Sequence, residues 1–343
     1  LDAAFSGLSR DIPADFAERL RTATFTTFRR LLDLCERESP DFLLLAGDVY
    51  NQEDASVSAQ LALRDGFRRL ESLSIPVFLV HGNHDPLASR LRSVRWPGNV
   101  TVFGELPDAV PVFRKGEGTP LAIIHGASHA SGRETRNLAA LFRRTEACGL
   151  HVGLLHATPG DADGVARYAP FSQGDLKASG MDYWALGHIH DRREVCREPL
   201  AAYPGCTQGL HINEPGEKGC LLVTAEARPD GGYAVRTSFR PLGPAVWKTL
   251  DMDLGGAASL DELENRLRTG LDRAAAEVWS GCEMLLVRLR LQGRTELDGL
   301  LRKGTTCAEL ADRLREDGSG VPRIWIKDID VATRPCVERG ALL

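Results

Sequence analysis

Val77-Phe78-Leu79-Val80-His81-Gly82-Asn83-His84-Asp85 is the stretch that decides the fold: four apolar residues run straight into a glycine followed by Asn, His and Asp. Three other stretches repeat the plan. Phe42-Leu43-Leu44-Leu45-Ala46 ends in Gly47-Asp48, Val152-Gly153-Leu154-Leu155 ends in His156, and Tyr183-Trp184-Ala185-Leu186 ends in Gly187-His188-Ile189-His190. Strands that are apolar along their whole length are covered on both faces, the habit of parallel sheets. In open α/β sheets ligands gather outside the carboxyl ends of the strands. The four endings are therefore expected to meet, and Asp, Asn and His meeting there point to transition-metal ions and phosphate chemistry.

Working outward, the segments between these strands read as helices. Phe16, Leu20, Phe28, Leu31, Leu32 and Cys35 recur at helical steps, which gives a helix over Asp15–Glu36 ended by Pro40. Leu63, Phe67 and Leu70 form one stripe of a second helix over Ser56–Leu73. From about Val110 shorter strands take over: Val110–Arg114, Leu121–His125, Gly219–Glu226 and Tyr233–Arg240, the last two joined by a hairpin turn at Asp230-Gly231-Gly232. They supply a second sheet stacked on the first.

Pro241-Leu242-Gly243-Pro244 punctuates the chain, and we place a boundary there. Beyond it come a strand at Trp247–Leu254, a helix at Ser259–Val278, a strand at Glu283–Gln292, a helix at Thr306–Arg315 and a strand at Arg323–Val331. Ser259-x-x-Glu262 and Thr306-x-x-Glu309 read as capping boxes. The expected fold class is α/β: a two-sheet sandwich flanked by helices over residues 1–240, followed by a small α+β module over 245–343.

The chain has 343 residues, enough for one large domain and a smaller one. It contains no apolar run near the roughly 20 residues that cross a bilayer, and no basic-then-apolar leader. It opens at Leu1-Asp2 without an initiator Met, so residues are expected upstream. Eight cysteines without a C-x-x-C pair point to reduced thiols in a cytoplasmic protein, not to a cysteine zinc site. A net charge of −5 argues against a uniformly basic DNA-coating protein. It leaves a nuclease open, because bound cations offset site carboxylates and phosphate contacts need only a local basic stripe. Arg90, Arg92 and Arg95 after the Asn-His-Asp cluster, and Arg192, Arg193 and Arg197 after His-Ile-His, are candidates for such contacts.

A two-metal phosphoesterase needs a carboxylate shared by both ions, neutral ligands to complete each shell, and an acid for the leaving oxygen. The ions, about 3.5–4 Å apart, clamp the phosphate and activate water for in-line attack. Asp48 offers two oxygens and can bridge. Asn83 adds a neutral carbonyl oxygen, which restrains the negative charge facing an anionic substrate. His156, His188 and His190 add nitrogens that suit Mn, Fe or Zn better than Mg. His188 and His190 alternate, so both can face one site. His84 is left free to protonate the leaving oxygen, with Asp85 as the partner expected to orient it. His211 is a further candidate for substrate contact, and Cys206 for approach to the metals.

Gly47-Asp48, Gly82-Asn83-His84-Asp85, a strand ending in His156, and Gly187-His188-x-His190 resemble, in residues and in order, the calcineurin-like metallophosphoesterase superfamily. Tyr203-Pro204-Gly205-x-x-Gln208-Gly209, His211-Ile212-Asn213-Glu214 and Gly216-Glu217-Lys218-Gly219 narrow the resemblance to SbcD-type DNA repair exonucleases of the YhaO-like branch. The resemblance covers roughly residues 1–240. It implies one metal held by Asp48, His190 and an Asp-x-His motif, a second held by Asp48, Asn83, His156 and His188, and His84 as the catalytic histidine. It also implies a C-terminal module that caps the site and helps hold DNA, an SbcC-type ATPase partner bound through a tail, and a homodimer. The Asp-x-His motif is absent; Leu1-Asp2 looks like the residues directly after it, so those ligands are expected upstream. The leading expectation is a two-metal DNA exonuclease or endonuclease, most simply Mn-dependent, with no membrane partner. A phosphodiesterase for small diesters such as cyclic nucleotides, and a non-catalytic scaffold on the same fold, are the alternatives.

Overall fold

The computed structural model describes residues 1–8, 12–50, 56–88, 94–161, 166–229, 231–316 and 320–336. They form two compact units. One comprises Leu1–Ala3, Thr24–Thr207 and Gly219–Leu242; the other comprises Ala4–Ala23, Gln208–Lys218 and Gly243–Leu343. One division falls inside Pro241–Pro244. Two earlier segments nevertheless join the second unit, so the two blocks 1–240 and 245–343 are not the units that the structure draws. The reason is burial: Phe16, Leu20, Ala23 and Ile212 pack with Trp247, Met284, Leu286 and Trp325. Helix α1 (Ala14–Glu38) runs across the division between Ala23 and Thr24.

In the first unit, β1 (Leu43–Ala46), α2 (Val57–Ser72), β2 (Val77–Val80) and β3 (Val100–Val102) give a parallel sheet in the order β1-β2-β3. Ser56 caps α2, its hydroxyl accepting from the Ala59 amide at 3.1 Å. Next come β4 (Asp108–Val112), β5 (Ala122–Ala127), a 3-10 turn (Ala139–Leu141), β6 (Leu150–His156) and α3 (Gln173–Ala178). They are followed by β7 (Tyr183–Gly187), β8 (Arg193–Arg197) and β9 (Leu200–Tyr203). These strands make a six-stranded sheet in the order β4-β5-β6-β7-β9-β8, parallel from β5 through β9 and antiparallel at its edges. A hairpin of β10 (Gly219–Ala227) and β11 (Tyr233–Pro241) completes the unit; Asp230 of its turn lies outside the described residues.

Alternation along the strands builds the layers. Leu44, Ala46, Phe78 and Val80 share one core with Ile124, Val152, Leu154, Tyr183, Leu221 and Val223, so the sheets and the hairpin bury a common interior. Leu43, Leu45 and Val77 point the other way, against Phe28, Leu32, Leu63, Phe67 and Leu70 of the helices. Leu155, Trp184 and Leu186 face Phe142, Phe171 and Leu176 on the far side of the six-stranded sheet. The result is a two-sheet sandwich flanked by helical layers.

In the second unit, β12 (Ala245–Asp253), α4 (Leu260–Glu277), β13 (Met284–Gln292), β14 (Arg294–Thr295), α5 (Asp298–Leu301), α6 (Thr306–Glu316), β15 (Arg323–Val331) and β16 (Arg334–Pro335) follow in turn. Strands β12, β13 and β15 form a parallel sheet, and β14 pairs with β16. Leu285, Val287, Leu289 and Leu291 pack on Leu263, Leu267 and Leu271 of α4, while Met284 and Leu286 face the residues supplied by α1. Ser259 caps α4 by accepting from the Glu262 amide at 3.2 Å, but the Glu262 carboxylate turns to the Ala258 amide instead of closing the box. No capping box forms at Thr306: it is already helical, and the Glu309 amide bonds the Thr305 carbonyl at 3.0 Å, so the earlier of two threonines occupies the cap. Among the described residues no helix is long and apolar enough to cross a membrane.

Candidate metal centre

The parallel register brings the strand endings level. Leu43 pairs with Val77 and Ala46 with Val80, while His156 pairs with Gly187. Beyond those ends Asp48, Asn83, His156 and His188 converge. The His156 Nε2 atom lies 3.0 Å from Asn83 Oδ1 and 3.3 Å from Asp48 Oδ2. Ligand atoms of Asp48, His156 and His188 all fall within 4.8 Å of one another.

Glycine makes this approach possible. A Cβ on Gly187 would lie 1.8 Å from the Ala46 carbonyl oxygen, and one on Gly82 would lie 2.3 Å from Asp48 Oδ1. Any other residue would push the endings apart, which is why Gly precedes both Asn83 and His188. Asp48 and His188 also sit at positive φ, 51° and 101°, conformations that cost a side-chain-bearing residue about 1–3 kcal/mol. The surrounding structure holds both.

Backbone carbonyls orient the two imidazoles. A carbonyl only accepts, so His156 Nδ1, 2.9 Å from Ala46 O, carries a proton there. Its other nitrogen then points between two oxygens that also only accept. Either a second proton or a cation must sit among them. His188 Nε2 is anchored 3.1 Å from Ala166 O, which leaves Nδ1 as its ligating atom. Burial, then the neighbouring His156, pushes His188 down to about 4, so it is a neutral ligand at ordinary pH. Burial opposes the charge of Asp48, but contact with His156 and the His84 amide outweighs it and holds the carboxyl at about 2. A dependable carboxylate, an amide oxygen and two imidazoles are a donor set that fits a divalent transition-metal ion.

Asp85 does something other than orient His84. Its carboxylate is fully buried; Oδ1 accepts from the amides of Gly82 at 2.7 Å and Asp48 at 3.2 Å, and Oδ2 from Val49 at 3.0 Å. Those three bonds fasten the β1 ending to the β2 ending. His84 is exposed, and its own amide donates to Asp48 Oδ1 at 2.9 Å.

Among the described residues, the remaining candidates place no ligand atom in this group, although His190 is near enough to act electrostatically on His188. His190 is exposed, and its carbonyl accepts from the Cys206 amide at 3.1 Å. Arg192 lies 3.9 Å over the Phe239 ring and Arg193 5.7 Å from the Tyr203 ring, both exposed. His211 belongs to the second unit, where its Nδ1 accepts from the Asn213 amide at 3.1 Å. Arg90 and Arg92 lie outside the described residues.

One support escaped the sequence reading. The Thr158 hydroxyl donates to Ala166 O at 3.2 Å and accepts from the Tyr168 amide at 3.0 Å, so it pins the loop whose carbonyl orients His188. The Tyr168 ring stands edge-on to His188 at 5.3 Å. A Thr two residues after a ligand is no signal by itself; the returning loop gives it meaning.

Comparison with known proteins agrees with this geometry. The calcineurin-like phosphoesterase family matches residues 20–192, and the middle domain of metallophosphoesterase YhaO matches residues 247–334. The uncharacterized metallophosphoesterase YhaO of Bacillus subtilis (strain 168) is 35% identical over 338 residues, which cover 97% of this chain and 79% of that protein. The DNA double-strand break repair protein Mre11 of Aeropyrum pernix is 27% identical over 290 residues, 76% of this chain and 64% of that one. Mre11 of Sulfurisphaera tokodaii is 26% identical over 194 residues, 54% of this chain and 46% of that one. The chain thus spans less than two thirds of either Mre11 protein. Strand endings gathered around Asp48, and similarity along nearly the whole chain, make this protein a member of the calcineurin-like metallophosphoesterase family.

Proposed function

We propose that the protein is a two-metal DNA phosphodiesterase, an exonuclease or endonuclease of DNA repair that works in the cytoplasm with an SbcC-type ATPase. The observation that carries the hydrolytic part is the convergence of Asp48, Asn83, His156 and His188 on one point with only acceptor atoms facing inward. The DNA part draws on the repair proteins among its relatives. Divalent ions, with Mn the leading candidate, would supply charge neutralisation of the phosphodiester and an activated water.

The chain's own residues have separate tasks. Asp48 offers one oxygen beside His156 and the other beside the His84 amide. Asn83 and the neutral imidazoles bind without adding negative charge that would repel DNA phosphates. His84, exposed and tethered through its amide to Asp48, is the general acid for the leaving oxygen. His190 belongs to the second ion's shell. The second unit, like the YhaO middle domain in sequence, helps hold the duplex.

The test is Mn-dependent shortening of an end-labelled linear duplex by the full-length protein, with and without the ATPase, beside a small chromogenic diester. Metal-dependent loss of duplex supports the nuclease. Turnover of the small diester with DNA intact in both arms would replace it with a small-molecule phosphodiesterase. Bound metal without turnover of either would leave a scaffold.

A further inference from the structure

Beyond the Asp48 cluster, a second pair of ligand-type side chains meets in the same unit. Past His188 the chain buries Ile189 and exposes His190. Strand β9 ends at Tyr203, and Pro204-Gly205-Cys206 turns back toward that histidine. Gly205 has φ +80°, and a Cβ there would lie 2.7 Å from His190 O and 3.0 Å from Arg192 N, so only glycine lets the loop close this far. The Cys206 amide then donates to His190 O at 3.1 Å. A ring nitrogen of His190 and the Cys206 sulfur come within 4.8 Å of each other. Metal–sulfur and metal–nitrogen bonds of about 2.3 and 2.0–2.1 Å place two such ligands roughly 3.5–4.4 Å apart on one ion, depending on the angle. The pair is therefore at, or one small side-chain rotation from, ligating distance. Cys206 is half-buried and outside any disulfide, so an ion can reach it from solvent.

We propose that Cys206 and His190 together ligate the second cation, and that the thiolate makes this position prefer a thiophilic ion such as Zn or Co over Mn or Mg. Thiolate ligands select such ions by softness, while Asn and carboxylate oxygens do not. The proposal rests on the two-metal reading and sharpens it: the two positions would differ in metal preference, one built from oxygen and imidazole, the other including sulfur.

Anaerobic titration of the reduced full chain with cobalt(II) alone tests it, compared with Cys206→Ser and His190→Ala. The expected result is a sulfur-to-cobalt charge-transfer band in the wild type, absent from both variants, which still bind cobalt at the Asp48 cluster. Alkylation of Cys206, followed by mass spectrometry, should slow about tenfold when cobalt is ten times its Kd, by mass action. Exposed Cys148 serves as the internal reference and should react at an unchanged rate. Cobalt bound without a thiolate band, or Cys206 alkylated equally fast with and without cobalt, overturns the proposal and leaves the metal reading standing. No cobalt bound by any form would overturn both.

Discussion

Strand β6 carries a histidine near each end, and the two are bonded in opposite ways. His151 uses both ring nitrogens on protein: Nδ1 lies 2.9 Å from His125 Nε2, and Nε2 lies 2.9 Å from Ala147 O. His156 uses one, on Ala46 O, and turns the other toward Asn83 Oδ1 and Asp48 Oδ2, oxygens that have no proton to give. Both are buried, at 0% and 1% exposure, so burial does not separate them. The difference lies in the second nitrogen. An imidazole whose two nitrogens are matched by protein groups is complete as it stands; one aimed at a carboxylate and an amide oxygen is completed by a cation.

The comparison can be broken in several places. Asp48→Ala should abolish cation binding at the cluster, read by elemental analysis after gel filtration; full metal content would remove Asp48 from the site. His84→Gln should leave metal content intact and lower turnover about 10²–10⁴-fold, the span of a lost general acid. Unchanged turnover would mean that His84 acts only through its amide.

Asp85→Asn separates positioning from catalysis. Placing an amide donor against the Gly82, Asp48 and Val49 amides should cost about 1–3 kcal/mol, seen as a lower Tm. If Asp85 instead tuned His84, the variant would shift the pH–rate profile at unchanged Tm.

The matched pair carries its own pH signature. Burial, then His151 and Arg144, pushes His125 down to about 4 from 6.5, and burial also lowers His151. A depressed histidine binds fewer protons folded than unfolded, so its contribution is complete above pH 6.5 and is lost as pH falls through about 4. Thermal melts should lose on the order of 3 kcal/mol from His125 across that window. His125→Asn should flatten the slope without changing metal content; an unflattened slope would place the titration elsewhere.

What the sequence disclosed followed from direction. A parallel strand delivers whatever follows it to one end of the sheet, so four apolar runs ending in Asp48, Asn83, His156 and His188 could be read as meeting. The glycines beside them were visible as motif letters, but their reason exists only in the folded chain: Gly187 meets Ala46 O where the two sheets approach, and Gly82 meets Asp48 where neighbouring strands of one sheet end. The fastening role of Asp85 was not legible, because two of its donors, the amides of Asp48 and Val49, are more than thirty residues away and backbone amides leave no mark in a sequence. Residues 4–23 and 208–218 join the second unit for a similar reason. Phe16 and Leu20 announce an apolar face, and nothing in their spacing names Trp247 and Trp325 as what covers it.

The central claim is that the open nitrogen of His156 marks a cation site and the closed ring of His151 does not. Calorimetric titration of Mn into the wild-type chain, His156→Ala and His151→Leu tests it directly. The account predicts binding in the wild type, its loss in His156→Ala, and retention within a few fold in a folded His151→Leu. Equal Mn affinity in all three, or loss in His151→Leu alone, would contradict it.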